Sequence, residues 1–129
     1  MFPRTILINP EMIVVDKTEL THREGSCSIF GYNAMVPRFK SICVKAYDEK
    51  AEPITLTFHN WSARIVQQGI DHLNGELYID KMKPKTLEFD YWDRVNYQDG
   101  QFTLDLSPLS KMKRFCSYIY YYPLRWKKN

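Results

Sequence analysis

The spacing of apolar and polar residues predicts β-strands in the first half of the chain. Between residues 39 and 47 the two kinds alternate, which places Ile42, Val44 and Ala46 on one side of a strand. Asn9-Pro10 is a dipeptide typical of turns and separates two short apolar runs. The other predicted strands are residues 5–8, 12–15, 19–23 and 54–58.

A helical period replaces this alternation after residue 59. Asn60 or Ser62 suits the N-cap of a helix that ends near Gly75. Residues 76–82 return to an extended pattern, and residues 85–95 predict a second short helix. Strands followed by one central helix indicate an α+β domain with a mostly antiparallel sheet. Four apolar residues of the main helix are expected to face the core: Ile65, Val66, Ile70 and Leu73.

Composition favours one folded domain with an unusual C-terminal part. The 129 residues are 44% hydrophobic, and three cysteines without paired spacing argue against a disulfide scaffold. No apolar run approaches the length of a membrane span. Residues 106–129 carry six basic and no acidic residues among many aromatic ones. Such a segment is compatible with contact to RNA or a membrane surface, but we favour an added strand or an extension without such a partner.

Four segments of the chain carry a resemblance to the peptide deformylase family. They are residues 24–28 (Glu-Gly-Ser-Cys-Ser), 36–39 (Val-Pro-Arg-Phe), 63–75 (Ala-Arg-Ile-Val-Gln-Gln-Gly-Ile-Asp-His-Leu-Asn-Gly) and 77–82 (Leu-Tyr-Ile-Asp-Lys-Met). Residues 2–96 resemble the mitochondrial branch of the family in particular. The resemblance begins after the position of the family's first motif, which is rich in glycine. We therefore expect residues 1–96 to form a deformylase-like domain without its N-terminal part, and residues 97–129 to form an extension.

The resemblance implies a role in protein biosynthesis. Family members remove the N-formyl group from the initiator methionine of nascent chains with Fe(II), Zn(II) or a similar ion. It also implies a mitochondrial location, although no presequence is visible and the cytoplasm is the alternative. Without the N-terminal part, an apolar face is expected to be exposed and to favour self-association or a protein partner.

The family's metal chemistry falls on four positions of this sequence, and three of them are substituted. Ser26 stands where the family has a cysteine ligand, and Gln68 stands where it has its first histidine ligand. Gly69 replaces the glutamate that acts as general base, whereas His72 retains the second histidine ligand. A catalytic zinc needs three protein ligands, so we expect neither a bound metal nor appreciable deformylase activity.

Other residues match family positions that shape the loop and fix the helix. They are Glu24, Gly25, Arg64 and Asp71. The simplest role for Gly25 is a backbone turn. Their presence indicates a recognisable scaffold and is neutral on activity.

Two alternatives to an inactive deformylase relative stay open at this point. The first is a working metalloenzyme in which Cys27, His72 and a residue such as His59 rebuild the metal site. Neighbouring side chains of an extended segment point to opposite faces, however, so Cys27 is expected to face away from Ser26. His22 and His59 are expected to be ordinary surface residues. The second alternative is an interaction protein that holds a peptide or partner in the former substrate groove.

Overall fold

The structure is a computed structural model that describes residues 5–97 and Gly100. The predicted C-terminal extension lies outside these residues, apart from Tyr97 and Gly100. Within the described part of the chain, no helix is long and apolar enough to cross a membrane.

In the described part of the chain, three long strands and one short strand form a single antiparallel sheet. Strands β1 (Ile8–Ser26), β2 (Ile29–Tyr47) and β3 (Pro53–His59) lie side by side in that order. Strand β4 (Glu88–Phe89) pairs with the first half of β2. The prediction of a mostly antiparallel sheet accompanied by one main helix is confirmed.

The turn predicted at Asn9-Pro10 is wrong, because β1 passes through this dipeptide. The pairing with β2 is irregular between Ile8 and Glu11, and Asn9 has a φ of 50°. Asparagine tolerates this left-handed conformation better than most residues. Among residues 5–97, β1 lies at the edge of the sheet, and proline is tolerated on an edge strand because its missing N–H costs no ladder hydrogen bond on the open side.

The main helix, α1 (Asn60–Leu73), begins where β3 ends. Neither predicted N-cap residue occupies the cap, which is His59. Ser62 contributes from inside the first turn, where its Oγ accepts the His59 N–H at 3.2 Å and donates to the His59 carbonyl at 2.8 Å. Gly75 follows the helix with a φ of 80°, as expected for a helix stop.

The main core lies between α1 and one face of the sheet. Val44 stands opposite Met12 on β1 and Leu56 on β3, and directly opposed residues share a face. The predicted burial of Val66 and Ile70 is confirmed, but Leu73 is 53% exposed and Ile65 is only half-buried. The buried residues of this core are Ile42, Val44, Ala46, Phe58, Ala63, Val66 and Ile70.

The segment after α1 departs from the sequence prediction. The expected extended form of residues 76–82 is interrupted by a 3-10 turn at Tyr78–Asp80. The expected helix over 85–95 is wrong in its first half, where β4 lies, and a shorter helix, α2, spans Trp92–Tyr97. Here β4 pairs with β2, and the ring of Phe89 packs over Gly31, which has a φ of 83° and no side chain to block the contact.

Candidate functional site

The positions assigned to metal chemistry converge where the end of β1 meets α1. Ser26 is the last residue of β1, and Gln68 and His72 are one turn apart on the helix, so their side chains leave the same face. The Oγ of Ser26 lies 3.4 Å from Nε2 of His72. The Gln68 side-chain amide donates to the carbonyl of Gly25 at 3.1 Å. The structure thus brings these predicted site residues together.

Ser26 makes a second hydrogen bond at this corner, which is the place where the end of β1 meets α1. The Ser28 N–H donates to Oγ of Ser26 at 3.2 Å, so the hydroxyl oxygen accepts a backbone hydrogen bond. Ser26, Gln68 and His72 are half-buried, whereas Gly69 is buried. The corner therefore holds one imidazole, one hydroxyl and one amide.

These residues do not fit a catalytic metal ion. A neutral hydroxyl and a carboxamide are poor replacements for a thiolate and an imidazole, which leaves His72 as the single good donor. Across residues 5–97, no three His, Cys, Asp or Glu side chains stand close enough to hold a metal. No carboxylate can act as general base from position 69, because glycine has no side chain.

The alternative ligand set of Cys27, His59 and His72 is not brought together. His59 precedes α1 and its Nδ1 lies 2.9 Å from Oγ of Ser41. His72 is thirteen residues further along the helix, which corresponds to about 20 Å. Cys27 is exposed in the turn between β1 and β2. His22 is also exposed, as expected, with its ring edge-on to Trp61 at 6.3 Å.

A network of buried charges lies directly beside this corner. Arg38 binds Glu24 in a two-pronged pair, with Nε to Oε1 and Nη2 to Oε2 both at 2.9 Å. The remaining terminal nitrogen of Arg38 pairs with Asp71. Nη1 of Arg64 lies 2.5 Å from Oε1 of Glu24, the oxygen that also accepts from Nε of Arg38. We call Glu24, Arg38, Arg64 and Asp71 the buried ion network; all four are buried.

Lys81 connects the buried ion network to the surface. Its Nζ lies 2.5 Å from Oδ1 of Asp71 and 2.6 Å from Oε2 of Glu76. Burial lowers the pKa of Lys81, but its bonds to the two carboxylates outweigh this, so the pKa is raised overall. The pKa of Arg38 is raised for the same reasons, because Glu24 and Asp71 more than offset burial.

Three residues with central structural roles were not singled out as site residues by the sequence. They are Arg38, Gln67 and Lys81. Gln67 holds α1 to β2, since its Oε1 accepts the Phe39 N–H at 3.0 Å and its Nε2 donates to the Phe39 carbonyl at 2.8 Å. For Gln67 the sequence offered a signal in its helical spacing, because residues 64, 67 and 71 are polar and fall on one face of the predicted helix.

Gly25 does not serve the turn proposed for it from sequence. It lies in β1 without a positive φ, and the turn falls on the two residues after Ser26. A Cβ at this position would stand 3.2 Å from the carbonyl oxygen of Tyr32. Gly25 therefore permits close approach of the two strands and offers its own carbonyl to Gln68.

A pocket of about 260 Å³ lies at the opposite end of α1 from His72. Trp61 and His22 form its exposed rim, and Phe39 adds an apolar wall. Arg38 and Arg64 of the buried ion network also line it. The pocket combines aromatic surface with buried positive charge, and none of the described residues that line it is acidic.

Comparisons with known proteins agree with the fold and with the sequence resemblance. The model of the polypeptide deformylase family matches residues 2–88. The mitochondrial peptide deformylase of Homo sapiens is 39% identical over 95 residues, covering 74% of this chain and 39% of that protein. The chloroplastic/mitochondrial peptide deformylase 1A of Arabidopsis thaliana is 35% identical over 85 residues, covering 66% of this chain and 32% of that protein.

Solved structures give the same result. A peptide deformylase from Synechococcus elongatus in complex with actinonin is similar with a TM-score of 0.60 and 32% identity, over 63% of this chain and 44% of that chain. Peptide deformylase 1B of Arabidopsis thaliana in complex with an inhibitor has a TM-score of 0.61 and 28% identity, over 73% of this chain and 49% of that chain. The chain spans less than half the length of each of these four proteins.

Proposed function

This chain belongs to the polypeptide deformylase family, and from that premise we propose that it is a relative without metal-dependent deformylase activity. The family reaction is hydrolysis of the N-formyl group of nascent polypeptides at a metal-bound water. Ser26, Gln68 and Gly69 occupy the positions of two ligands and the general base, and His72 occupies the position of the retained ligand. We therefore regard the chain as a pseudoenzyme, which keeps the family fold and lacks the family reaction.

The observation that carries this proposal is the donor set around the Ser26–His72 contact. Loss of two ligands removes the ion that lowers the pKa of its bound water. Loss of the carboxylate at position 69 removes general base catalysis, which contributes about 10²–10⁴-fold by itself. Both losses act on one assembly, so they are not summed, and either one is sufficient.

Metal content and turnover of the purified chain test the proposal directly. We expect well below one equivalent of iron or zinc and no hydrolysis of a formyl-Met peptide. The matched variant carries Ser26→Cys, Gln68→His and Gly69→Glu, which restores the family's ligands and base around His72. We expect this variant to bind about one equivalent of zinc, measured by elemental analysis after dialysis.

Two outcomes would contradict the proposal. The first is turnover by the unmodified chain that a chelator abolishes and Fe(II) restores. The second is about one equivalent of tightly bound metal in the unmodified chain, as in the three-site variant. Metal binding, not turnover, is the readout for the variant, because the chain spans only part of its relatives.

A second candidate function is the binding of a peptide or protein partner. The pocket at the start of α1 favours it, because Trp61 remains 57% exposed beside an apolar wall. Calorimetric titration with short peptides tests this role, and Trp61→Glu, which removes the aromatic rim of the pocket, should abolish binding. Leu73→Ala, at the exposed far end of α1, is the control and should leave binding unchanged.

The cellular setting follows from the same family membership. We propose a mitochondrial location, with the cytoplasm as the alternative. For the domain organisation, we propose a deformylase-like domain of residues 1–96 followed by an extension at residues 97–129. Fractionation of cells that express the tagged chain tests the location. Recovery in the cytosolic fraction alone would contradict it.

A further inference from the structure

The hydrogen bonds of Arg64 leave part of its guanidinium unused. Nη1 donates to Glu24 and to the Val36 carbonyl at 3.0 Å, and Nη2 donates to the Leu20 carbonyl. A guanidinium has five N–H groups. Within residues 5–97, neither Nε–H nor the second N–H of Nη2 donates to another residue. Nε is not among the described polar atoms that are both buried and without a partner, so this donor remains open to solvent.

The charge of Arg64 is also incompletely balanced. Burial lowers its pKa, and Glu24 offsets this only in part. Glu24 is shared with Arg38, whose like charge lowers the pKa of Arg64 further. An anion beside Arg64 would balance this charge and would accept hydrogen bonds from N–H groups that no described residue uses.

The pocket that Arg64 lines has the shape and walls for such an anion on a carbon chain. Its volume of about 260 Å³ suits an amino-acid side chain and excludes a large cofactor. Trp61 and His22 stand edge to face at the rim, with ring centroids 6.3 Å apart. These rings offer apolar contact to methylene groups, while Arg64 offers N–H donors.

We propose that this pocket binds a carboxylate of a peptide, with Arg64 as the charged donor and with Trp61 and His22 packed against the attached carbon atoms. The proposal rests on the peptide-binding role given above and names its ligand chemistry. The isosteric amide fills the same space and offers one carbonyl oxygen as an acceptor, but it carries no charge to balance that of Arg64. Selectivity for carboxylate over its isosteric amide is the distinguishing property.

Three short peptides, titrated into the full chain by calorimetry, test the proposal and separate two sources of the carboxylate. The first has blocked ends and one Glu, the second has blocked ends and Gln instead, and the third has Gln with a free C-terminal carboxylate. We expect one carboxylate peptide to bind at least about tenfold more tightly than the blocked Gln peptide. Tighter binding of the Glu peptide identifies a side chain as the source of the carboxylate. Tighter binding of the peptide with the free C-terminus identifies the chain end.

Two exposed-site variants keep the test independent of folding defects in the buried ion network. His22→Glu places a negative charge at the rim, and His22→Gln is the uncharged control. Compared with the glutamine control, we expect the glutamate variant to bind the carboxylate peptide about tenfold more weakly and the blocked Gln peptide equally well, because both variants lose the histidine ring and only one adds a charge. The glutamine control should retain the selectivity.

The outcomes separate this inference from the role on which it rests. If the blocked Gln peptide binds as tightly as the carboxylate peptides, the peptide-binding role stands and carboxylate recognition is wrong. If none of the three binds at millimolar concentration, both are wrong. Equal effects of His22→Glu on charged and neutral peptides would also overturn the carboxylate assignment.

Discussion

The buried ion network and the corner around Ser26 are neighbours that share strand β1 and helix α1, yet they are held together in different ways. Glu24 and Ser26 lie two residues apart on β1, and Asp71 and His72 are adjacent on α1. In the network each charge is buried and bound by partners within the fold. At the corner the side chains are half-buried, and the Ser26–His72 contact is long at 3.4 Å.

This difference shows that fixing α1 against the sheet and supplying chemistry are separate demands on the sequence. Removing one partner from a buried ion pair strands a charge away from water and costs about 3–5 kcal/mol. Replacing a half-exposed residue that makes one weak contact costs about 0.5 kcal/mol or less. Such a corner can lose its chemistry while the fold is retained.

The largest effect is expected from breaking the buried ion network at Arg38. The substitution Arg38→Met removes the side chain that joins Glu24 to Asp71. We expect a loss of about 3 kcal/mol or more in the free energy of unfolding, measured by denaturant titration. Lys40→Met, at an exposed position on the same strand, is the control. A loss below about 1 kcal/mol would show that the network is not what fixes the helix.

A stabilising substitution is expected at Tyr78, which tests whether buried polar groups must be satisfied here. Tyr78 is fully buried, and its hydroxyl has no hydrogen-bond partner within the described residues. Replacement by phenylalanine removes an uncompensated polar group, so we expect unfolding to cost about 1 kcal/mol more. Tyr32→Phe at an exposed position should change little. A destabilised Tyr78→Phe protein would reveal a partner for the hydroxyl.

A smaller effect is expected from alkaline pH, which acts on the surface end of the network. The pKa of Lys81 is raised in the folded protein, so its contribution is complete below its ordinary value of 10.5 and is lost as pH rises through the folded value. The pKa of Tyr78 is raised by burial and by Asp90, so its ionisation destabilises the fold in the same direction above about pH 10.

Thermal unfolding between pH 9 and 11.5 measures this effect and separates its two sources. In a Tyr78→Phe background, the remaining loss should shrink when Lys81→Met is added. The pair is partly exposed, so its contribution is small compared with that of Arg38. An unchanged pH profile in the double variant would exclude Lys81 as a source.

The smallest effect is expected at the corner itself. Ser26→Ala removes the contact with His72 and the acceptor for the Ser28 N–H, both of which lie in a half-buried setting. We expect a change of about 0.5 kcal/mol or less in the free energy of unfolding. Glu24→Gln on the same strand is the matched comparison and should cost several times more. Equal losses would abolish the distinction between the two regions.

Much of the fold could be predicted from the sequence because the relevant patterns are local. Alternation in residues 39–47 identified the inward face of β2, and the helical period identified Val66 and Ile70 as core residues. The errors arose where distant contacts decide the structure. Residues 85–95 have a helical pattern, but pairing with β2 converts their first half into a strand.

The sequence by itself determined which atoms are available to the former metal site. No folding can give Gly69 a carboxylate or turn Ser26 into a thiolate, so the identity of these residues limits the chemistry whatever shape the chain adopts. Only the tertiary structure decided that Arg38, Arg64 and Glu24 share one buried site, and that a pocket opens beside Arg64. Backbone periodicity fixes which residues share a face of one element, whereas distances between elements depend on the packing of the whole domain.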